Sequence, residues 1–126
     1  MTTLPNLHDG FFDGVWLSAD KHARFFVRTV AGELSTIILT DVQALNICGL
    51  RAGNIIFDLV LIAPDKLTVK NIEQAYDLKS SDVEAQQLLS KAQEQGLSGF
   101  EINPSYGAEG IALFRAVATV AGHVLD

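Results

Sequence analysis

The fold class of this chain is decided by one stretch, which reads Arg51-Ala52-Gly53-Asn54-Ile55-Ile56-Phe57-Asp58-Leu59-Val60-Leu61-Ile62. A turn-like tetrapeptide leads into eight residues, of which seven are apolar. A short apolar run that is rich in β-branched residues is typical of a strand covered on both faces. A single carboxylate, Asp58, interrupts the run. The stretch therefore predicts a sheet protein with a substantial core.

Further strand-like runs lie on both sides of this stretch and are separated by turn signals. We predict strands at 11–18, 23–30, 34–40, 42–48, 54–63, 99–103 and 111–120. The first five are joined by short connections without a crossover helix, which favours an antiparallel meander. The alanines of 111–120 would also suit a helix. Its position after the turn at 104–107 favours the return arm of a hairpin instead.

Two segments in the middle of the chain change to helical spacing. Apolar residues at nearly helical intervals predict a short helix over 68–78, although a strand also fits. A clearer helix is predicted over 82–95, where Ser81-Asp82-Val83-Glu84 fits a capping box and Gly96 is a suitable terminating residue. One face of this helix carries an apolar stripe made of Ala85, Leu88, Leu89 and Ala92.

These elements predict one α+β domain that spans residues 1–126. Its mainly antiparallel sheet of about seven strands forms a sandwich or a partly open barrel, with the helix at 82–95 packed on one face. The strand at 55–62 then needs cover on both faces. Helices provide one cover, and a second sheet or a homodimer interface provides the other.

Composition narrows the classes of partner. The formal net charge is −6 and the nine basic residues are dispersed, so we expect no binding to nucleic acid, which requires clustered Lys and Arg. An acidic balance can favour a basic protein partner. No apolar run of about 18 residues and no signal-like N-terminus occurs, so we expect a cytoplasmic protein without a membrane span.

No motif of an enzyme or a metalloprotein is present in the sequence. The single cysteine, Cys48, excludes a disulfide framework and a cysteine-based zinc site. The three histidines, His8, His22 and His123, have no metal-binding spacing. Nucleophile elbows and phosphate-binding loops are missing as well. We therefore assign no catalytic residue, no metal ligand and no cofactor.

Three charged residues, Arg28, Asp58 and Arg115, each lie inside an apolar run. A charge in such a setting must find a partner or face water, because burying it alone is costly. One interpretation is a structural Arg–Asp pair on an outer face of the sheet. The other is a polar spot in a cavity between sheet and helix, where Arg would bind an anionic or amide-bearing ligand.

Two turns complete the set of candidate residues, one at 51–54 and one at 103–107. Polar and aromatic side chains on a rigid turn are common material for recognition, although turn formation explains the same residue types. The candidate ligand- or partner-binding residues are Arg28, Arg51, Asn54, Asp58, Asn103, Ser105, Tyr106 and Arg115.

The leading hypothesis is a non-catalytic interaction or regulatory module, immunity-like in that it binds a basic partner protein. One alternative is a small-molecule binding domain with a cavity between sheet and helix. Another is a small enzyme whose site is assembled from dispersed residues. The discriminating observation for the enzyme would be a His or carboxylate with a strongly perturbed pKa in a concave pocket.

Overall fold

A computed structural model describes residues 4–79 and 83–125 of the chain. Within these ranges the chain forms eight strands, two α-helices and one short 3₁₀ turn at Pro64–Lys66. The strands are β1 (Phe11–Leu17), β2 (Ala23–Arg28), β3 (Leu34–Thr40), β4 (Ala44–Cys48), β5 (Asn54–Ile62), β6 (Ser98–Tyr106), β7 (Glu109–Phe114) and β8 (Ala116–Ala121). The helices are α1 (Val69–Tyr76) and α2 (Val83–Glu94). The predicted α+β class with a mainly antiparallel sheet is confirmed.

The eight strands form one open antiparallel sheet in the order β4-β7-β6-β5-β1-β2-β3-β8. The segment 111–120, predicted as one strand, is divided at Arg115. The Arg115 N–H donates to the Thr40 carbonyl at 2.9 Å, and the Gln43 N–H donates to the Leu113 carbonyl at 2.8 Å. The chain thus bends opposite the junction of β3 and β4, so that β7 pairs with β4 while β8 pairs with β3.

The strongly bent sheet surrounds an inner core. Six strands contribute buried side chains to it, among them Phe12, Phe25, Ile37, Ile56, Phe100 and Phe114. The rings of Phe25 and Phe100 are 4.9 Å apart between centroids. Large aromatic side chains bury much apolar surface, so this cluster contributes strongly to the stability of the fold.

A second core lies between the helices and the outer face of the sheet. Helix α1 contacts β4 and β7, and its buried Ile72 packs in the same cluster as Ile111 and Leu113 of β7. The prediction of a helix over 68–78 is confirmed by α1, which begins after a capping box between Thr68 and Asn71. Helix α2 confirms the second predicted helix, but residues 81 and 82 of its predicted capping box lie outside the described residues.

The prediction that residues 55–62 are covered on both faces is wrong. Phe57 is 52% exposed, and Asp58, whose neighbour Leu59 packs against the inner core, lies half-buried on the outer face of β5. The strand that is buried on both faces is β7, because its alternate residues face the inner core and the helix layer. The turn predicted at 104–107 is also corrected, since β6 continues to Tyr106. Pro104 is tolerated in β6 because it lies at an irregularity in the ladder with β5.

Candidate functional site

The outer face of the sheet carries a continuous row of directly paired residues from five neighbouring strands. We call these residues the cross-strand row: Tyr106, Ile55, Phe11, Arg28 and Leu34, from β6, β5, β1, β2 and β3. Their strand neighbours Phe12, Val27 and Ile56 face the inner core, so the row faces outward. Tyr106 is 51% exposed, and Leu34 is exposed as well. The row is thus an apolar stripe with one arginine in it.

The charge of Arg28 is paired within this face. Its Nε and Nη2 donate to the two carboxylate oxygens of Asp13, both at 3.0 Å, and its guanidinium carbon lies 4.3 Å from the Phe11 ring centroid. This hydrogen bonding from Arg28 holds the pKa of Asp13 below its usual range. His123 lies 3.9 Å from Asp13. Of the two interpretations given for Arg28, the structure therefore supports the Arg–Asp pair on an outer face of the sheet. Its partner in that pair is Asp13 and not Asp58.

Asp58 belongs to a second feature of the same outer face, on β5 and β6. The Asn103 amide Nδ2 donates to Asp58 Oδ1 at 2.7 Å and to Glu101 Oε1 at 3.2 Å. We call these three residues the acidic patch. In the described part of the chain no Lys, Arg or His lies within 4.0 Å of either carboxylate. The two negative charges are thus positioned by a neutral amide and, within residues 4–79 and 83–125, by no cation.

An exposed aromatic residue adjoins the acidic patch. Phe57 precedes Asp58 and occupies the irregular position where the register of β5 and β6 shifts. The His8 ring packs against it edge to face at 5.3 Å, and His8 Nδ1 lies 2.9 Å from the Phe57 carbonyl oxygen. The phenyl ring is therefore held in place although it is largely exposed.

The side chain of Asn54 is buried inside the fold, where it makes hydrogen bonds to backbone groups. Its Oδ1 accepts from the N–H groups of Arg51 at 2.8 Å and Ala108 at 3.0 Å. Its Nδ2 donates to the carbonyls of Arg51 at 2.8 Å and Phe12 at 3.3 Å. This buried amide joins the turn at 51–54, the loop after β6 and the strand β1, so it has no free polar atom for a ligand.

The remaining candidates are dispersed. Arg51 and Ser105 are exposed, and the Arg51 backbone is held by Asn54. Arg115 lies at the bend between β7 and β8, where it donates to Asp41 at 2.8 Å and to the Gln95 carbonyl at 2.7 Å. The structure thus brings Arg28 and Tyr106 into one row and joins Asp58 to Asn103. It leaves Arg115 in a separate ion pair at the bend.

Sequence reasoning missed Phe11, Leu34, Asp13 and Glu101, all of which belong to these features. The alternation of outward residues along each strand was a usable signal for the first two. The pairing of Arg28 with Asp13 could not be predicted from the sequence, because the ladder of β1 and β2 is irregular between Phe12 and Gly14.

Three cavities bear on the small-molecule hypothesis. One of about 90 Å³ lies beside α2 and is lined by helix and loop residues such as Tyr76, Leu88 and Ala92. The space between α1 and the strands β4 and β7 measures about 390 Å³ and is lined by polar residues such as Asn46, Gln74 and Glu109. A larger cavity of about 440 Å³ opens between the end of β5 and the bend of β7 and β8, with Leu61, Phe114 and Val117 in its mostly apolar wall. Arg115 lines this last cavity, whereas Arg28 and Asp58 line none of the three.

Within residues 4–79 and 83–125, no three His, Cys, Asp or Glu side chains are grouped as a metal ion would require. In the same part of the chain, no helix is long and apolar enough to cross a membrane. Comparison of the chain with protein-family models, with curated proteins and with solved structures finds no match.

Proposed function

We propose that this protein is a non-catalytic interaction module that binds a basic partner protein through the outer sheet face formed by the cross-strand row and the acidic patch. The observation that carries the proposal is the pair of carboxylates, Asp58 and Glu101, which share the Asn103 amide and have no cation within 4.0 Å among the described residues. Two like charges held close together repel each other, and a Lys or Arg side chain from a partner would relieve that repulsion.

Two exposed aromatic residues on the strands that carry the patch support the same proposal. Exposed Tyr106 and Phe57 offer apolar area on rigid strands, and interface hot spots are typically aromatic residues surrounded by polar groups. Arg28 is neutralised by Asp13, so it does not repel a basic surface as a free cation would. Since the overall charge of the chain is also negative, a basic partner would be attracted from a distance.

The test is a comparison of two double variants with the same change in net charge. Asp58→Lys with Glu101→Lys reverses the acidic patch, while Asp65→Lys with Glu94→Lys reverses two exposed carboxylates of the 3₁₀ turn and α2. Each variant and the wild type would be cross-linked in extract of the native host, and the captured proteins would be quantified by mass spectrometry.

We expect a basic protein to be captured by the wild type and by the Asp65/Glu94 variant but not by the Asp58/Glu101 variant. With that protein purified, the patch variant should bind at least about tenfold more weakly, equivalent to about 1.4 kcal/mol. Equal capture by all three proteins, or loss of an acidic protein only, would contradict the proposal.

The cavity at the bend between β7 and β8 supports a second candidate function, the binding of a small apolar ligand. Its volume of about 440 Å³ falls in the range of small-molecule sites, and its wall is mostly apolar. Native mass spectrometry of protein from its own host would test this candidate. A retained small-molecule mass that is lost in an Ala116→Phe variant, which narrows the cavity, would support it, and an empty wild-type protein would count against it.

A further inference from the structure

Arg24 is a buried cation without a counter-ion. It lies on β2 and is 9% exposed, yet in the described part of the chain no carboxylate oxygen lies within 4.0 Å of its guanidinium. Among the described residues its buried Nε has no hydrogen-bond partner. In the same part of the chain its guanidinium makes one hydrogen bond, from Nη1 to Ser18 Oγ at 3.5 Å, which is at the limit for such a bond. Buried charges in proteins are normally paired, so this position requires an explanation.

The surroundings of Arg24 point to a ligand. Trp16 lies directly opposite on β1, with its ring centroid 5.1 Å from the guanidinium carbon, and Ile38 lies opposite on β3. The indole is 43% exposed, so one part of it covers the arginine while the rest remains free to pack against another group. An arginine stacked on an aromatic ring retains its planar set of donors, which matches the two oxygens of a carboxylate or phosphate.

The acidic residue of the neighbouring turn does not neutralise Arg24. The carboxylate of Asp20 instead accepts from the Ser18 hydroxyl and from the His22 N–H, the latter at 3.3 Å. The hydrogen bond from Ser18 lowers the pKa of Asp20. Asp20 is therefore a competitor for the Ser18 hydroxyl and a like charge to any anion that approaches Arg24.

We propose that Arg24, Trp16 and Ser18 form a binding site for a small oxyanion, a carboxylate or phosphate that carries an apolar group. The guanidinium pairs with the oxyanion, the Ser18 hydroxyl turns away from Asp20 to donate to the oxyanion, and the apolar group packs on the exposed part of the indole. This site is independent of the acidic patch, and it recognises the opposite charge.

The site contains its own reporter, because Trp16 is the only tryptophan of the chain. Its fluorescence would be followed while sodium phosphate, sodium acetate or sodium hexanoate is added at constant ionic strength set with sodium chloride. We expect a saturable change with a dissociation constant of about 1 mM for at least one anion. Saturation with phosphate alone would identify the phosphate class, and tighter binding of hexanoate than of acetate would identify an apolar carboxylate.

Variants make the test specific. Arg24→Gln should weaken binding at least tenfold, Asp20→Asn should strengthen it severalfold, and Arg51→Gln, which alters an exposed arginine elsewhere, should leave it unchanged. If Arg24→Gln fails to fold, Arg24→Lys preserves the charge but loses the planar donors, and binding should weaken severalfold. The proposal is overturned if no anion gives saturation with the wild type, or if folded Arg24 variants bind as well as the wild type does.

Discussion

Asn54 offers the most informative perturbation of this fold, because one buried amide holds three separate segments together. Asn54→Ala removes all four of its hydrogen bonds. The two bonds to Arg51 lie in an exposed turn where water can replace the amide, so each contributes about 1 kcal/mol at most. The N–H of Ala108 and the carbonyl of Phe12 belong to buried residues, and leaving each unpaired costs about 1–3 kcal/mol.

These terms together give an expected loss of about 4 kcal/mol in the free energy of unfolding. The unfolding entropy of globular proteins is about 2 cal/mol/K per residue, so the loss corresponds to a decrease of about 15 °C in Tm for a chain of this length. Thermal and urea unfolding followed by circular dichroism would measure both quantities. Asn6→Ala is the matched control, because Asn6 is exposed and accepts one bond, from the His8 N–H at 3.2 Å.

A double-mutant cycle with Gly107→Ala sharpens this test. Gly107 has φ +91°, and an added Cβ would overlap Asn54 Oδ1. Gly107→Ala should therefore lower the free energy of unfolding by less in the Asn54→Ala background, where that clash is gone and the backbone strain and a 3.3 Å approach to the Asn54 Cα remain. The reasoning is refuted if Asn54→Ala lies within about 1 kcal/mol of the wild type, or if the two substitutions are simply additive.

Three further predictions concern other parts of the fold. Thr68→Ala should lower the free energy of unfolding by about 1 kcal/mol in urea titrations, because it removes the N-terminal cap of α1. Thr36→Val should lower the free energy of unfolding by about 2 kcal/mol and speed amide hydrogen exchange at 122–124. The buried Thr36 hydroxyl donates to the Gly122 carbonyl at 2.7 Å and accepts from the Val124 N–H at 3.0 Å, so unchanged exchange would contradict this prediction. The pKa of Asp13 is lowered by hydrogen bonding from Arg28, so this pair stabilises the fold above the ordinary aspartate pKa of about 3.9 and loses that effect as the pH falls further. The Tm of Asp13→Asn should thus lie below that of the wild type at pH 6 and approach it near pH 2, and a constant difference would contradict the assignment.

Much of the secondary structure was predictable, because local patterns determine it. The run at 34–40 is rich in β-branched residues and forms β3, and the apolar stripe within 82–95 forms the buried side of α2. The helix at 68–78 was also recognisable by its spacing, although its cap uses Asn71 in place of the usual Glu.

The bend at Arg115 was not predictable, because nothing local marks it. The residues on both sides continue as strand, and the division arises from pairing with two different strands at once. The burial of β5 and β7 was misjudged for a related reason. Both sequences are apolar, and only the position of α1 over β4 and β7 decides which strand is covered twice.

The positions of the candidate residues likewise depend on strand pairing and packing, which the sequence pattern does not specify. Asp58 and Asn103 meet because of the register of β5 and β6, which includes two irregularities that no sequence pattern specifies. Asn54 was chosen for its turn, but its amide is directed inward by a turn that closes around it. Arg24 was overlooked because its neighbours in sequence are unremarkable, and only the fold surrounds it with apolar groups.

The pairing of β8 with β3 has a consequence for folding during synthesis on the ribosome. β3 is synthesised about 75 residues before the strand that covers its free edge, so during that interval its hydrogen-bonding groups and neighbouring apolar side chains are exposed to other nascent chains. Contacts between segments so distant in sequence also slow the search for the native state. We therefore expect the pairing of β8 with β3 to be the last step of folding, because residues 116–121 are synthesised long after β3.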